Sequence, residues 1–324
     1  MFYTPSYKPE VLKEESFEKD FTVLEEKLSA VANTGVLRSF DGLNLEYEYY
    51  LAENAVASVV IVHGLTEFIR KYHELCGFLL DMGLNVFVYD QRGHGKSGRE
   101  SSDQTVVHVS SFDAYVKDLE CVIENLVEKN CGTLPVYLFS HSMGGSICAL
   151  YMQKHPNRIA KSAFCAPMLC PKMRRLPRFF MRWFLKLDAK KNGLDAPFIA
   201  SRDFDANAKL NHSSDASRAR FKMNMTTRIS DKCYQGSKIT NGWLIEATLI
   251  QGKLLSGLSR RIESECLVLI AEKDDVVKTA PQFRFKKRLK NSRLITFPEA
   301  KHNLLNGSEF TLCDVYAAIQ DFFS

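Results

Sequence analysis

From residue 58 onward, short apolar runs alternate with longer segments of helical period, and this alternation limits the possible folds more than any other feature of the chain. Strand patterns occupy 58–62, 85–89, 135–139, 159–166, 266–271 and 293–297; helical patterns occupy 72–82, 112–129, 146–155, 281–290 and 309–323. Short runs that are apolar throughout belong to strands covered on both faces, which requires helices packed above and below a parallel sheet. Ahead of them, Val36-Leu37-Arg38-Ser39-Phe40 and Leu43-Asn44-Leu45-Glu46-Tyr47 flank Asp41-Gly42, a hairpin turn signal. The expected fold class is therefore α/β: a mostly parallel twisted sheet with helices on both faces, led by a hairpin.

The chain has 324 residues, 45% of them apolar and 25% charged, enough for one large α/β domain or two ordinary ones. One segment breaks this composition. Between Pro167 and Ile262 there are 19 Lys/Arg against 7 Asp/Glu, a net +12, while the rest carries 24 against 31, a net −7. The chain thus divides into an N-terminal helical extension at 1–30, a core at 31–166 and 263–324, and a basic insert at 167–262. Residues 8–28 read as an acidic amphipathic helix, with Val11, Leu12, Phe17, Phe21, Leu24 and Leu28 near helical spacing; packing is favoured over partner binding as its role. Repeats and low-complexity tracts are absent. The nine cysteines form no C-x-x-C pair, which argues against zinc and disulfides and for free thiols in a reducing compartment. The N-terminus lacks a basic and then apolar leader, and no apolar run reaches the ~18 residues needed to span a bilayer. A soluble, cytoplasmic protein is expected.

Val136-Tyr137-Leu138-Phe139 runs into Ser140-His141-Ser142-Met143-Gly144-Gly145 and then into a helical pattern. A sharp strand-to-helix bend of this kind strains the backbone of its central serine and exposes the hydroxyl above the sheet. Side chains two residues to either side would collide with the bend, so Ser140 and Gly144 meet a steric requirement. Ser142 is the candidate nucleophile. It needs a base, because a free serine hydroxyl is a poor nucleophile near neutral pH. On this turn the partners follow in the order Ser, acid, His. Of the eight histidines only His302, in Ala300-Lys301-His302-Asn303-Leu304 before the last helix, lies late enough. His141 adjoins the nucleophile but should point away across the turn, and His63 should fix the glycine loop that follows it. The others, His73, His94, His108, His155 and His212, read as structural or surface residues. The acid should follow the strand pattern ending at Ala271, where Glu272-Lys273-Asp274-Asp275 offers Asp274, with Asp275 as a rival and Glu272 facing solvent. Acyl transfer also needs donors for the developing oxyanion. The N–H of Met143 and the N–H of Leu65, in the loop His63-Gly64-Leu65-Thr66, are the expected pair.

With these residues assembled, the chain resembles the α/β-hydrolase superfamily and, within it, the bacterial lysophospholipase and monoacylglycerol lipase group. The resemblance is carried by Val62-His63-Gly64-Leu65, by Tyr89-Asp90-Gln91-Arg92-Gly93-His94-Gly95-Lys96-Ser97-Gly98 and by His141-Ser142-Met143-Gly144-Gly145. Ala166-Pro167-Met168, His302-Asn303-Leu304-Leu305-Asn306 and a block from His108-Val109 through Phe112 and Tyr115 to Asp118-Leu119 add to it. It implies the α/β-hydrolase fold with a helical cap inserted after the sixth strand, and Ser142, Asp274 and His302 as the triad. It also implies a reaction without cofactor or metal. Three positions depart from the pattern: Ser140 and Ala271, where glycines are common, and Gly307, where an acidic residue often follows the histidine loop. None removes a functional group.

In such a fold the insert at 167–262 is the lid. Its stretch Lys172-Met173-Arg174-Arg175-Leu176-Pro177-Arg178-Phe179-Phe180-Met181-Arg182-Trp183-Phe184-Leu185-Lys186 interleaves cations with large apolar groups. That suits a helix covering the site, and also peripheral contact with an anionic membrane. Single-stranded nucleic acid would suit the same pattern but leaves the triad without a purpose. The expected function is a serine hydrolase cleaving carboxylic esters of single-chain lipids, lysophospholipid or monoacylglycerol, through an acyl-enzyme on Ser142. A peptidase for small N-terminal residues needs an acidic group in the lid to hold a free amine, and the lid has few; a general carboxylesterase of the same fold is a further alternative. A non-catalytic hydrolase-like binding protein is at odds with the intact Ser, Asp and His set. A dehalogenase would need a carboxylate at Ser142.

Overall fold

The computed structural model describes residues 9–172 and 178–324. Helix α1 (Phe17–Val31) leads to the antiparallel pair β1 (Asn33–Arg38) and β2 (Asn44–Tyr50). The alternating part follows as β3 (Ser58–Val62), α2 (His73–Asp81), β4 (Asn85–Tyr89), the short β5 (Val106–Val107) and α3 (Phe112–Val122). A π turn (Ile123–Val127) joins α3 to α4 (Glu128–Cys131), and then come β6 (Val136–His141), α5 (Met143–Lys154) and β7 (Lys161–Cys165). The insert contributes α6 (Arg178–Asn192), α7 (Arg218–Ser230), β8 (Lys238–Ile239) and α8 (Asn241–Leu254). The body closes with β9 (Glu265–Ala271), α9 (Thr279–Lys286), β10 (Ser292–Phe297) and α10 (Glu309–Phe323).

Eight strands form one sheet in the order β1-β2-β4-β3-β6-β7-β9-β10, in which β2 runs against its neighbours and the rest are parallel to one another. β5 pairs with β8 separately, stitching the insert to the body. The sheet divides the core in two. Val60 and Val62 of β3 pack with residues of α3, α5 and α8, while Val59 and Ile61 pack with residues of α2 and α10 on the opposite face. Successive side chains of a strand point to opposite faces, so a strand buried on both reads as an unbroken apolar run. After β3 the chain moves to β4 on one side and then returns to β6 on the other. That reversal opens a crevice at the carboxyl ends of β3 and β6, where ligands of such sheets bind.

Several elements differ from the sequence pattern; α9, expected at 281–290, spans Thr279–Lys286. The first helix begins at Phe17 rather than residue 8: Leu12 N–H donates to Glu74 Oε1 at 3.1 Å and Leu12 C=O accepts from Arg220 at 2.8 Å, which holds that segment as non-helical chain. Helix α5 starts at Met143, three residues earlier than its apolar pattern, because Gly144 and Gly145 form its first turn. Helix α8, near the end of the insert, buries Trp243, Ala247, Ile250 and Leu254 in the same core as α3 and α5. The basic stretch 172–186 is helical from Arg178 on; residues 173–177 of it lie outside the described residues. Among the described residues no helix is long and apolar enough to cross a membrane.

Candidate active site

Ser142 caps the N-terminus of α5 directly after β6, with φ 50° and ψ −115°, a conformation rare for a residue with a side chain. Its neighbours enforce this geometry. Ser142 N–H donates to Cys165 O at 3.1 Å, and its C=O accepts from Met168 N–H at 2.8 Å and Gly145 N–H at 3.0 Å. On one flank a Cβ at Gly144 would stand 2.0 Å from the Val62 carbonyl oxygen, so only glycine fits. On the other, the buried Ser140 hydroxyl donates to Ala163 O at 3.2 Å, which satisfies its polarity inside the sheet.

His302 lies between β10 and α10, and its Nε2 is 2.8 Å from Ser142 Oγ. Its Nδ1 is 2.6 Å from Asp274 Oδ2, and Asp274 Oδ1 accepts the N–H groups of Val276 at 2.8 Å and Val277 at 2.7 Å. A carboxylate acceptor at Nδ1 fixes the proton there and leaves the Nε2 lone pair facing the serine hydroxyl. Asp274 is 1% exposed, whereas Asp275 and Glu272 face solvent; Asp274, not its neighbour, meets the histidine. Burial presses the His302 pKa below the usual histidine value, the hydrogen bond that its ring donates to Asp274 opposes this, and the charge of His141 adds to the lowering.

The two expected oxyanion donors are the N–H of Met143, next to the serine in the chain, and the N–H of Leu65, in the loop after β3. Met143 is the first residue of α5, whose opening N–H groups have no partner within the helix. Among the described residues neither N–H donates to a protein acceptor. Leu65 follows a loop held by His63: Nδ1 is 2.7 Å from Gly64 O and Nε2 accepts Gln91 N–H at 2.9 Å. Burial lowers the His63 pKa to about 4, so it bridges these backbones as a neutral ring. The arrangement brings a serine hydroxyl, an imidazole and a carboxylate into one hydrogen-bonded line at a helix N-terminus, a set able to perform acyl transfer.

A family model described as serine aminopeptidase, S33 (Hydrolase_4) matches residues 53–309. The chain belongs to this family. Lysophospholipase L2 of Escherichia coli strain K12 is 28% identical over 292 residues, covering 88% of this chain and 85% of its own. The monoglyceride lipase of Homo sapiens is 32% identical over 130 residues, 40% of this chain and 41% of its own. Among solved structures, a soluble variant of monoglyceride lipase from Saccharomyces cerevisiae in complex with a substrate analog matches with a TM-score of 0.73. That match covers 91% of this chain and 95% of the yeast chain at 19% identity. The protein is a hydrolase with the α/β-hydrolase fold.

Family members are recognised by their motifs, yet this site also holds residues that motif reading passed over. Glu67 is 7% exposed, and its carboxylate takes hydrogen bonds from Gly64 N–H, from Lys71, and from Tyr72 OH at 2.5 Å. His141, beside the nucleophile, turns its Nδ1 to the same carboxylate at 3.0 Å, and its ring centroid stands 5.0 Å from that of His302. Burial alone would raise the Glu67 pKa, but the charges of His141 and Lys71 hold it well below the usual carboxylate range. The available signal was the pair Glu67 and Lys71 at i,i+4 in the loop after the first buried strand. Asp90 was likewise passed over: its Oδ1 accepts Ile69 N–H at 2.9 Å and its Oδ2 accepts Lys96 N–H at 2.8 Å, which ties together the loops after β3 and β4.

Proposed function

We propose that the protein hydrolyses carboxylic esters of single-chain lipids, lysophospholipid or monoacylglycerol, through an acyl-enzyme on Ser142. The observation that carries this is the line Ser142–His302–Asp274, with 2.8 Å and 2.6 Å between the reacting and orienting atoms. His302 Nε2 takes the hydroxyl proton as Ser142 Oγ attacks the ester carbonyl, and Asp274 stabilises the imidazolium. The N–H groups of Met143 and Leu65 receive the oxyanion, each contributing on the order of 100-fold or more in rate. The imidazolium then protonates the leaving alcohol. Water, deprotonated by the same nitrogen, attacks the acyl carbonyl and releases the fatty acid.

The lipid class rests on the similarity to lysophospholipase L2 across 88% of this chain and on the apolar character of the lid. We take the lid proper as the insert between β7 and α8, with the extension before β1 packed against it through α1 and α7. On α6, Phe180, Trp183, Phe184 and Leu187 are exposed beside the exposed Lys186, Lys190 and Lys191. A basic helix with bare aromatic groups suits an anionic lipid surface, so peripheral membrane contact by α6 belongs to this reading.

The family description names an aminopeptidase, which is the second reading. A free substrate amine needs an unengaged carboxylate near the nucleophile. Six of the insert's seven carboxylates have partners elsewhere: Asp188 with Asn192 and Asn241, Asp203 with Lys238, Asp205 with Asn207 N–H, Asp215 with Asn303 and Asn306, Asp231 with Cys233 N–H, and Glu246 with Phe112 N–H. The test is fatty-acid release from lysophosphatidylcholine and from a monoacylglycerol of the same acyl chain, with wild type and Ser142→Ala. Cleavage of either lipid by wild type and of neither by the variant supports the reading, and the ratio assigns the head group. Labelling by a fluorophosphonate without cleavage of either lipid would keep the nucleophile and remove the substrate class.

A further inference from the structure

The loop carrying His302 is held from outside the catalytic body. It contains the 3₁₀ turn Leu304–Asn306, and the insert segment 213–217 is hydrogen-bonded to it. Asp215, 8% exposed, places one carboxylate oxygen 2.7 Å from Asn303 Nδ2 and 2.8 Å from Asn306 Nδ2. One acceptor therefore ties down both ends of the turn that follows the histidine. The other carboxylate oxygen accepts from Ser213 Oγ at 2.5 Å. Ala216 and Ser217 donate their N–H groups to Asn306 O at 2.8 and 2.9 Å, and Lys301 Nζ reaches Ser213 O at 3.0 Å. The residues immediately before and after His302 are thus both bonded to the insert.

We propose that Asp215 is a positioning residue for His302, so that the seating of the insert is part of the active-site geometry. The proposal rests on the reading of His302 as the base. Asn306 is 3% exposed, and among the described residues Asp215 is the acceptor for its side-chain N–H. Without the carboxylate that amide is buried and unpaired, and the turn relaxes to find another partner. A displacement of ~1 Å at a catalytic group costs on the order of 100-fold in rate. The buried Leu304 and Leu305 still anchor the loop, so a loss of roughly tenfold is expected for a partial shift.

The experiment compares Asp215→Ala and Asp215→Asn in the full chain. It reads kcat and KM on p-nitrophenyl butyrate and on a monoacylglycerol, the pH profile of kcat/KM, and the melting temperature. Asp215→Ala is expected to lower kcat roughly tenfold on both esters while leaving KM nearly unchanged. Its acid limb should move to lower pH, because the hydrogen bond from His302 to Asp274, which raises the His302 pKa, is weakened. Asp215→Asn keeps the bridging acceptor oxygen and should recover most of the activity. Asn306→Ala added to Asp215→Ala should cost little more than Asp215→Ala alone, since both remove one interaction. A lower melting temperature with kcat and acid limb unmoved would overturn the proposal, as would a rise in KM for the lipid alone. If Asp215→Ala does not fold, Asn303→Ala is judged by the same kcat and acid-limb criteria. The assignment of the base has its own controls: turnover retained by His302→Ala, or no fluorophosphonate labelling of wild type, would show that assignment to be wrong whatever Asp215 does.

Discussion

Adding one methyl group at Gly144 should damage this protein, although in an unconstrained helix the same change is favourable by ~1 kcal/mol. The Cβ of Gly144→Ala would lie 2.0 Å from the Val62 carbonyl oxygen, 2.7 Å from its carbonyl carbon and 2.8 Å from His63 O. These are backbone atoms of a central strand and its loop, and they have no rotamer into which to retreat. Ordinary contact begins near 3.4 Å, so α5 and β3 must move apart by more than about 1 Å. Overpacking of this kind costs roughly 1–3 kcal/mol, which outweighs the gain in helix propensity. The groups displaced are the ones the reaction needs, since Met143 precedes Gly144 and the Leu65 loop follows Val62 and His63. An error of ~1 Å there lowers the rate on the order of 100-fold. The assay is the rate of fluorophosphonate labelling at Ser142 together with a thermal melt. Gly252→Ala serves as control, because its Cβ would meet nothing within 4 Å. The control should be neutral or stabilising, whereas Gly144→Ala should melt lower and label far more slowly. Wild-type labelling and melting in Gly144→Ala would refute the argument that this close approach shapes the nucleophile turn.

Asp274→Asn should lower kcat by about 10⁴-fold, as expected when the orienting acid no longer fixes the histidine tautomer, whereas Asp275→Asn, in the solvent-facing position, should leave it nearly unchanged; steady-state kinetics on one ester decides between them. His73 is hydrogen-bonded to Glu25 at 2.9 Å and Glu48 at 3.0 Å, and these partners outweigh burial and raise its pKa to about 9. A raised folded-state pKa gives stability that is complete below the unfolded value near 6.5 and is lost as pH rises through about 9, up to ~3 kcal/mol before discounting the partly exposed carboxylates. Melting temperatures from pH 6 to 10 should show this fall in wild type and a much shallower one in His73→Gln, and equal slopes would exclude the pairing.

How much of this was legible in the chain depended on how local the deciding interaction is. Strands β3 and β4 matched the expected ranges to the residue because burial on both faces leaves its mark in four consecutive apolar or aromatic side chains, Val59 to Val62 and Val86 to Tyr89. The small residues around Ser142 were legible because the bend excludes larger ones. Asp274 and Asp275 were not separable, since both follow the same strand. What distinguishes them is the way the chain folds back so that Val276 and Val277 present their N–H groups to Asp274. Val11 and Leu12 carried a helical period, yet Glu74 and Arg220, remote in sequence, hold the segment out of a helix. The sequence break that marks the insert is one of charge. Charge does not report that α8 packs into the core, because its partners α3 (Phe112–Val122) and α5 (Met143–Lys154) lie far from it in the sequence.

The acid and base loops leave different strands, β9 and β10, and the insert touches both. At its start, Lys172 N–H donates to Val276 O at 2.7 Å, Lys278 N–H donates to Cys170 O at 2.9 Å, and Lys172 Nζ reaches the Asp274 carbonyl. Further along, the segment 213–217 grips the His302 loop through Asp215 and Asn306. A lid anchored at these two seams cannot swing as one rigid plate without disturbing the His302–Asp274 pair. Opening that preserves the triad must therefore be confined to the chain between the seams, which contains α6 and its exposed aromatic residues. On the proposed reading, substrate entry and catalytic geometry fall to different parts of one insert: the outer face of α6, which carries the exposed Trp183 and Leu187 while Met181 and Leu185 are buried, would meet lipid, and the segments at 170–172 and 213–217 hold the two loops on which the proposed proton relay depends.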